Sequence, residues 1–505
     1  MRIGVVGAGI SGIAVVHTLT KAGHEVKAFE KSSDIGGVWA LAYPGVKLQN
    51  TGYHYHLSDL PWPKEPDRHP TGRQIQDYLN YAVETLKLDI RPNHEVLSLV
   101  DVDKGWLLKY RNETGEFEEE FDYIVVAIGQ YSEGKHKPRF PNQDDYKGEL
   151  LSERDVRSLD VFKNKTTVVV GFGKSAVDMA TLAVGAAKQV YQVFRTPRWM
   201  IPFSLLGIHY ARIMFCRMGT VIMPAWVYPS RFEKFLHEKL DFLIRANWKF
   251  MELIVSLQCR FQGLGLGKEA AIRLKTILPR HKMVSDLRSA SAMSPEDYYR
   301  YVARGQILPF LAEVDSFTEK GLRLKDGRSI ECDQVILCLG SQTPSFPFFA
   351  DKYRRILEAE NDGIQLYRHL LHPKIPNLAF AGFNHGFMHV PAAEVAMVWL
   401  AAYLNKDLQL PSSEEMQASM QRVLEWKRQH INYEPSRSCA VNTRFQQYID
   451  IMLKDLGISP YRKMPNLFAE LFSQYGASDY RGVLAEYNLQ REKKVPPRQP
   501  LSVDT

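Results

Sequence analysis

Three glycines at the start of the chain have the spacing of a segment that binds phosphate groups. Gly7, Gly9 and Gly12 follow the apolar run Ile3–Val6 and precede a predicted helix that ends at Lys21. In such a segment the first glycine permits a tight turn, the second lets the backbone approach a pyrophosphate, and the third lets the helix pack on the strand. The free N–H groups at the helix N-terminus then face the phosphates, so the pattern predicts a dinucleotide site.

The next residues indicate which dinucleotide this first site binds. Glu30 ends the following predicted strand, where a carboxylate can accept hydrogen bonds from both ribose hydroxyls and disfavours a 2′-phosphate. The pair Gly36-Gly37 comes directly afterwards and lets a second backbone segment lie against an extended dinucleotide, as FAD requires. The alternative for this pair is a simple turn. We predict FAD at the first site.

A second unit repeats the plan at residues 166–195. The strand Val168–Val170 enters Gly171-x-Gly173-x-x-Ala176, in which alanine is small enough for close helix packing. Arg195 ends the next predicted strand, where an NAD site has an acid. A guanidinium matches a 2′-phosphate in charge and geometry, so the second site is predicted to bind NADPH. The alternative is that Arg195 and the nearby Arg198 are solvated surface charges.

Size and composition limit the class of protein. The chain has 505 residues, 45% of them apolar and 24% charged, which is typical of a globular protein with two or three domains. Its net charge of +7 suits an anionic small molecule and needs no nucleic acid partner. The five cysteines are scattered, and a strand begins at the N-terminus, so we expect a reducing compartment, no signal peptide and a cytoplasmic location. A monomer or a homodimer fits equally well.

The order of predicted elements indicates an α/β fold with two Rossmann-like domains, the second inserted in the first. The predicted FAD-binding domain occupies residues 1–155 and returns at residues 331–410. The predicted NADPH-binding domain occupies residues 156–330 and includes a helical insertion at about 203–275. A helical segment and tail follow at residues 411–505.

The first part of the insertion, residues 203–265, mixes aromatic and aliphatic residues with arginine and lysine at helical spacing. An amphipathic layer that packs on the protein and walls a pocket is the favoured interpretation. Contact with a membrane surface is the alternative.

The chain resembles the flavin-containing monooxygenase family, which is related to the Baeyer–Villiger monooxygenases. The resemblance covers most of residues 1–400 and rests on both nucleotide motifs together with these segments: Glu30-Lys31, Gly36-Gly37-Val38-Trp39, Gln49-Asn50-Thr51, Leu57–Pro61, Asp178, Arg195, Arg198, Trp199, Ser294–Tyr299, Gly382-Phe383, Glu394 and Trp399. It implies that NADPH reduces FAD and that the reduced flavin binds O₂ as a C4a-(hydro)peroxyflavin. A small organic substrate then receives oxygen at nitrogen, sulfur or an activated carbon.

The resemblance also assigns candidate site residues. Asn50 matches the family's active-site asparagine and is the predicted catalytic residue, although a turn asparagine is the alternative. His385 and His389 are interpreted as polar residues of a pocket wall, and no metal site is predicted. The predicted cofactor-binding residues are Gly7, Gly9, Ser11, Gly12, Glu30, Lys31, Gly37, Val38, Trp39, Asn50, Thr51, Gly129, Gly171, Gly173, Lys174, Ser175, Ala176, Arg195, Gly340 and Gly382.

The chain departs from the family in the stretch that identifies it. Ser152 replaces a histidine and Val156 an aromatic residue, and the strand ends Ile128-Gly129 and Leu339-Gly340 lack the usual Ala-Thr-Gly. Baeyer–Villiger oxidation, decarboxylative hydroxylation and halogenation therefore stay open as alternatives. An NADPH-oxidising reductase or redox carrier is a further alternative, but a disulfide reductase would need a cysteine pair near the flavin.

Overall fold

The computed structural model describes residues 1–130, 134–224, 226–287, 292–384, 386–430, 441, 443–493, 496–497 and 499–500. His385 and Cys439 lie outside these residues, as do residues 501–505 of the predicted tail.

A five-stranded parallel sheet forms the centre of the first domain. Its strands, in sheet order, are Leu378–Phe380, Tyr123–Val126, Arg2–Val6, Glu25–Phe29 and Ile90–Arg91. The helix Ile10–Lys21 follows the first strand and packs beside the long buried helix His389–Leu404. The chain reaches this sheet from both its N-terminal part and residues 378–380, which confirms that one domain is split by the other.

A second parallel sheet of five strands forms the inserted domain. In sheet order these are Ile307–Leu311, Gln189–Phe194, Thr166–Val170, Gln334–Leu337 and Glu149–Ser152. The predicted domain boundaries at residues 155 and 331 place residues 149–152 and 334–337 in the first domain, whereas both strands belong to the sheet of the second. The two strands have four residues each, and their pairing partners are distant in sequence. Local sequence patterns therefore do not reveal the sheet to which they belong.

Short antiparallel strands and helices complete the fold. The antiparallel groups are Glu95–Val102, Gly105–Asn112 and Gly115–Phe121; Val314–Thr318, Gly321–Leu324 and Ser329–Glu331; and the hairpin Ser204–Leu205 with Ile208–His209. Met200–Pro202 pairs in parallel with Ala292–Ser294.

The predicted helical insertion begins with the hairpin at residues 204–209. Among its described residues it continues in five helices, which are Tyr210–Met214, Arg217–Ile222, Arg231–Lys239, Asp241–Phe261 and Gly267–Ile277. The remaining helices are Gly72–Leu86, Lys174–Ala183, Met283–Leu287, Tyr298–Ala303, Asp351–Leu357, Ser413–His430, Phe445–Asp455, Leu467–Phe472 and Val483–Glu492. Among the described residues, none of these helices is long and apolar enough to cross a membrane.

A partly buried polar cluster joins the two central helices of the first domain to the loop at residues 57–60. His17 Nε2 lies 2.8 Å from Asp59 Oδ1, and Lys21 donates to the other oxygen of Asp59. Burial disfavours the Asp59 carboxylate, but the bonds from His17 and Lys21 outweigh it and hold the pKa of Asp59 below its usual range. Glu394 accepts hydrogen bonds of 2.9–3.1 Å from the N–H and hydroxyl of Ser58. Burial nevertheless raises the pKa of Glu394 to about 8.

The raised pKa of Glu394 predicts a pH dependence of stability. The reference pKa is 4.5, so between about 4.5 and 8 the unfolded chain releases this proton while the folded chain keeps it. The contribution of Glu394 is therefore largest below pH 4.5 and declines as the pH rises to 8. Glu394→Gln should flatten this part of the curve of unfolding free energy against pH, measured by urea denaturation. The exposed Glu296→Gln is the control, and parallel curves for wild type and Glu394→Gln would contradict the assignment.

Candidate functional site

A cavity of about 490 Å³ opens at the carboxyl ends of the strands of the first sheet, where α/β folds bind dinucleotides. Twelve of the predicted site residues line it. They are Gly7, Gly9, Ser11, Glu30, Lys31, Gly37, Val38, Trp39, Asn50, Gly129, Lys174 and Gly382. Residues from four separate parts of the chain thus meet around one space large enough for a cofactor.

The two glycine segments of the first domain lie directly against each other. A Cβ atom on Gly37 would lie 3.2 Å from the Cα of Gly9, and Gly37 has a φ of +58°, which favours glycine. The N–H of Gly36 donates to the carbonyl of Ala8 over 2.9 Å. The two segments therefore border the same space, and the prediction that Gly36-Gly37 lies against an extended dinucleotide stays a prediction.

The helix Ile10–Lys21 begins at the edge of the cavity without a side-chain cap. Gly9 is its N-cap residue and supplies no side-chain hydrogen bond, and the first turn contains no acidic residue. Gly12 packs the helix onto the turn, since a Cβ there would lie 2.1 Å from the carbonyl oxygen of Gly7. The N-terminal amide groups and the helix dipole are therefore directed at a space that suits a pyrophosphate.

Glu30 is buried at the cavity wall, and both of its oxygens are oriented by backbone groups. The N–H of Ala8 donates to one oxygen and the N–H of Ser32 to the other, each over 2.9 Å. A carboxylate accepts several hydrogen bonds at once, so these two contacts leave acceptor capacity for ribose hydroxyls. The remaining acceptor capacity of Glu30 therefore fits the ribose hydroxyls of a dinucleotide.

Asn50 is buried beside the loop that ends at Phe387. Its side-chain amide donates to the backbone carbonyl of Phe387, and both residues line the cavity. A primary amide carries two N–H groups, so one remains for a ligand. The side chain of Thr51, in contrast, lies 2.7 Å from His54 Nδ1, and Thr51 is not among the residues of the cavity wall.

The second nucleotide segment has the same local geometry. The helix Lys174–Ala183 begins after Gly173 without a side-chain cap, and no heavy atom of the described residues lies within 4 Å of a Cβ built on Gly173. A Cβ on Gly171 would lie 3.4 Å from the Cβ of Ala176, so the small third residue does permit close packing. This N-terminus is therefore open to an anionic ligand.

Lys174 connects the second segment to the main cavity. It lines that cavity and forms an ion pair with Asp178, which also accepts a 2.6 Å hydrogen bond from the hydroxyl of Tyr43. Burial and the nearby Asp178 raise the pKa of Tyr43 well above its usual value. Because Tyr43 belongs to the first domain, these contacts hold the start of the second nucleotide segment against the first site.

The two arginines near the second site differ in their surroundings. Arg195 is exposed at the end of its strand. Arg198 donates to the fully buried Asp286 over 3.1 Å, and Asp286 also accepts from the N–H of Trp199. Arg198 is therefore not a solvated surface charge, and Arg195 is the residue that faces solvent.

Ser175 and Gly340 do not line the main cavity, whereas His389 does. Ser175 lies in the first turn of the helix Lys174–Ala183. Gly340 follows the strand Gln334–Leu337 and has a φ of +92°. His389 lines the main cavity, with Nε2 2.9 Å from the hydroxyl of Ser11, and burial lowers its pKa to about 4. His389 is thus a neutral polar residue of the wall, as the sequence suggested.

The two departures from the family motif are buried structural residues. The N–H and hydroxyl of Ser152 both donate to Asp155 over 2.7 Å, and Val156 lies in the core of the second domain. Neither residue is in the wall of the main cavity.

Several other wall residues were missed by sequence reasoning, among them Tyr55, His94, Gln130, Ser345 and Phe348. No short motif marks them, because the fold brings them in from separate segments.

Comparison with known proteins identifies the family. The model of the flavin-binding monooxygenase-like family matches residues 1–256 and 297–473. The chain is 27% identical over 527 residues to the probable flavin-containing monooxygenase 1 of Arabidopsis thaliana, covering 95% of this chain and 96% of that protein. It is 25% identical to a decarboxylating 4-hydroxybenzoate brominase of Pseudoalteromonas luteoviolacea (strain 2ta16), covering 93% and 85%. The chain therefore belongs to the flavin-binding monooxygenase-like family.

Solved structures share the fold. The open crystal structure of cyclohexanone monooxygenase aligns with a TM-score of 0.67 and 17% identity, covering 97% of this chain and 98% of that one. A structure of OTEMO in complex with FAD and NADP aligns with a TM-score of 0.63 and 19% identity, covering 84% and 89%. The predicted α/β fold with two dinucleotide-binding domains is confirmed, and the protein is a flavin monooxygenase.

The contact between the glycine segments predicts how a methyl group would act on cofactor binding. Among the described residues, a Cβ on Gly9 would meet only Gly37, at 3.8 Å, which is ordinary van der Waals contact. Gly9→Ala should therefore fold normally but keep a bound pyrophosphate away from the backbone. We expect the Kd for FAD to rise by about tenfold or more, equivalent to ~1.4 kcal/mol.

Flavin content after purification and titration of the apoprotein with FAD would measure this effect. Gly185→Ala is a matched control, since in the described part of the chain no heavy atom lies within 4 Å of a Cβ there and the residue lies outside both sites. An unchanged affinity for FAD in Gly9→Ala would contradict the proposed course of the pyrophosphate.

Proposed function

We propose that FAD binds in the main cavity and that NADPH binds at the second nucleotide segment. Glu30 and the apposed Gly9 and Gly37 support FAD at the first site. The uncapped helix after Gly173 and the exposed Arg195 support a phosphorylated dinucleotide at the second. The structure of OTEMO with FAD and NADP is consistent with both assignments.

One observation carries the functional proposal: a residue of the second nucleotide segment lines the cavity at the first segment. Lys174 is the first residue of the helix Lys174–Ala183. It lines the same space as Gly9, Glu30 and Asn50. A nicotinamide held from the second segment therefore has access to a flavin held by the first. The bound flavin supplies hydride acceptance and reaction with O₂, while the protein orients the cofactors and excludes water.

We propose oxygenation of a small organic substrate at nitrogen, sulfur or an activated carbon. In this scheme the remaining amide N–H of Asn50 donates a hydrogen bond to the reacting part of the bound cofactors. The carbonyl of Phe387 fixes the plane of that amide. A preorganised donor of this kind contributes to the rate only when it points at the developing charge, so its removal should affect oxygen transfer more than flavin reduction.

The role of Asn50 predicts an uncoupled variant. Asn50→Ala should reduce NADPH-dependent product formation by up to about 10²-fold and release H₂O₂ instead. The rate of flavin reduction by NADPH should stay close to that of the wild type. Suitable probes are thioanisole, N,N-dimethylaniline and cyclohexanone, with product and H₂O₂ measured per NADPH consumed. Normal coupling in Asn50→Ala would rule out the assignment.

A second candidate is a specialised halogenating or decarboxylating reaction. The similarity to a decarboxylating 4-hydroxybenzoate brominase favours it, with 93% of the chain aligned. Including 4-hydroxybenzoate with bromide among the probes separates the two candidates. Brominated product without oxygenation of the other probes would support the second.

We further propose that part of the helical insertion contacts an anionic lipid surface. On the helix Asp241–Phe261 and just after it, one face carries apolar residues that are 39–78% exposed. They are Phe250, Leu253, Leu257, Phe261 and Leu264, which we call the apolar stripe. The opposite face, with Trp248, Val255 and Cys259, is buried against the protein. Thus the helix both packs on the protein, as favoured from the sequence, and exposes a continuous apolar face.

The charges beside the apolar stripe are complementary to anionic headgroups. Arg245, Lys249 and Arg260 are exposed on the same helix. Basic residues that flank an apolar helix face are typical of helices that lie in the membrane interface, and each contributes about 1 kcal/mol near an anionic surface. A cytoplasmic location and a monomeric or dimeric state stay predictions from the sequence.

Vesicle sedimentation tests the lipid contact. The protein should sediment with phosphatidylcholine vesicles that contain phosphatidylserine, and binding should weaken at high salt. Replacing Phe250, Leu253 and Phe261 by serine should abolish it, whereas Phe117→Ser, at an exposed apolar residue of an acidic hairpin, should not. Absence of wild-type binding, or self-association through the stripe in light scattering without vesicle binding, would contradict the proposal.

A further inference from the structure

The segment Leu48–Asn50 is held by side chains that are distant from it in sequence. His69 Nδ1 lies 2.8 Å from the carbonyl oxygen of Asn50 and 3.1 Å from that of Leu48. The hydroxyl of Tyr210 donates to the carbonyl between them, that of Gln49. Three successive carbonyls are thus bound, and the position of Asn50 depends on these partners.

The contacts of His69 determine which of its nitrogens carries the proton. Carbonyl oxygens only accept, so Nδ1 must be the donor and Nε2 of the neutral ring must be an acceptor. Nε2 lies 3.0 Å from Nε2 of His209, which must therefore donate to it. The remaining nitrogen of His209 then accepts from the N–H of Ala211, at 3.3 Å. All of these contacts require the same two tautomers, with the proton on Nδ1 of His69 and on Nε2 of His209.

The surroundings keep both rings neutral and in place. Burial, despite the bonds to the two carbonyls, lowers the pKa of His69. Burial together with His69 lowers the pKa of His209 to about 4. The ring centroids of Phe203 and His69 are 3.9 Å apart, so the Phe203 ring limits the rotation of the His69 ring.

We propose that His69 is a positioning residue for Asn50, and that His209 of the helical insertion selects the His69 tautomer that does this. The inference rests on the proposed role of Asn50. His69 is hydrogen-bonded to the backbone carbonyl of Asn50, and the carbonyl of Phe387 accepts from the Asn50 side chain, so the residue is fixed from two directions. His209 and Tyr210 are adjacent in the insertion, which therefore contributes to the orientation of the reacting end of the site.

Variants of His69 and His209 separate this role from a structural one. In His69→Leu the carbonyl of Asn50 loses its donor, and we expect the H₂O₂ released per NADPH to rise about fivefold, as for the loss of one hydrogen bond. The rate of flavin reduction and the flavin content should not change. His69→Gln retains an N–H donor and should recover part of the coupling, and His209→Leu should lie between wild type and His69→Leu.

A double-mutant cycle with Asn50→Ala gives the decisive readout. If His69 acts through Asn50, the variant His69→Leu/Asn50→Ala should be no more uncoupled than Asn50→Ala alone. Additive uncoupling, wild-type coupling in His69→Leu, or equal losses of flavin content and reduction rate would overturn the proposal. If His69→Leu does not fold, the same comparison is made with His69→Gln and His209→Leu, and normal coupling in both would also overturn it.

The failure of the proposed function is recognised separately. In that case the wild-type protein forms no product from any probe, or Asn50→Ala alone couples normally. Uncoupling in His69→Leu beside a normally coupled Asn50→Ala would show that His69 acts by another route, which contradicts the positioning role.

Discussion

The close approach of two backbone segments, at Gly9 and Gly37, is the constraint on which the rest of the site depends. Side chains at either residue would separate the segments or fill the space beside them. Their contact leaves the amide groups of the helix Ile10–Lys21 facing a cavity and puts Glu30 at its wall. A negatively charged and extended ligand is what such a surface can bind, because its donors are backbone groups and a helix dipole.

Polar contacts around this cavity join the second domain to the first, beside the hydrophobic core that the two share. Tyr43 and Asp178 join the domains beside Lys174, and Tyr210 holds the carbonyl of Gln49 from the insertion. The N–H of Met293 donates to the side chain of Gln49 over 2.9 Å, so the inserted domain contacts this segment twice. The segment that carries Asn50 is therefore shared between the domains. The proposed NADPH site and the proposed FAD site are thus linked through this segment.

The sequence predicted those parts of the site that depend on local backbone geometry. Gly7, Gly9 and Gly12 require a turn and a close helix, and these requirements can be read from spacing alone. His69 and Tyr210 were missed, since their role depends on hydrogen bonds to a distant segment that no spacing reveals. The strands at residues 149–152 and 334–337 were assigned to the first domain for the same reason: each is short and buried, and only its long-range pairing defines its sheet.

The central claim is that flavin and nicotinamide act together on O₂ in one cavity. Rapid mixing of the NADPH-reduced protein with O₂, followed by oxidised-flavin absorbance and H₂O₂ release, tests it most directly. Without substrate, the account predicts slow return of the oxidised flavin while NADP⁺ stays bound, and faster return when the protein is reduced chemically in its absence. Immediate return with stoichiometric H₂O₂, whether or not NADP⁺ is present, would contradict the account and indicate an oxidase or reductase.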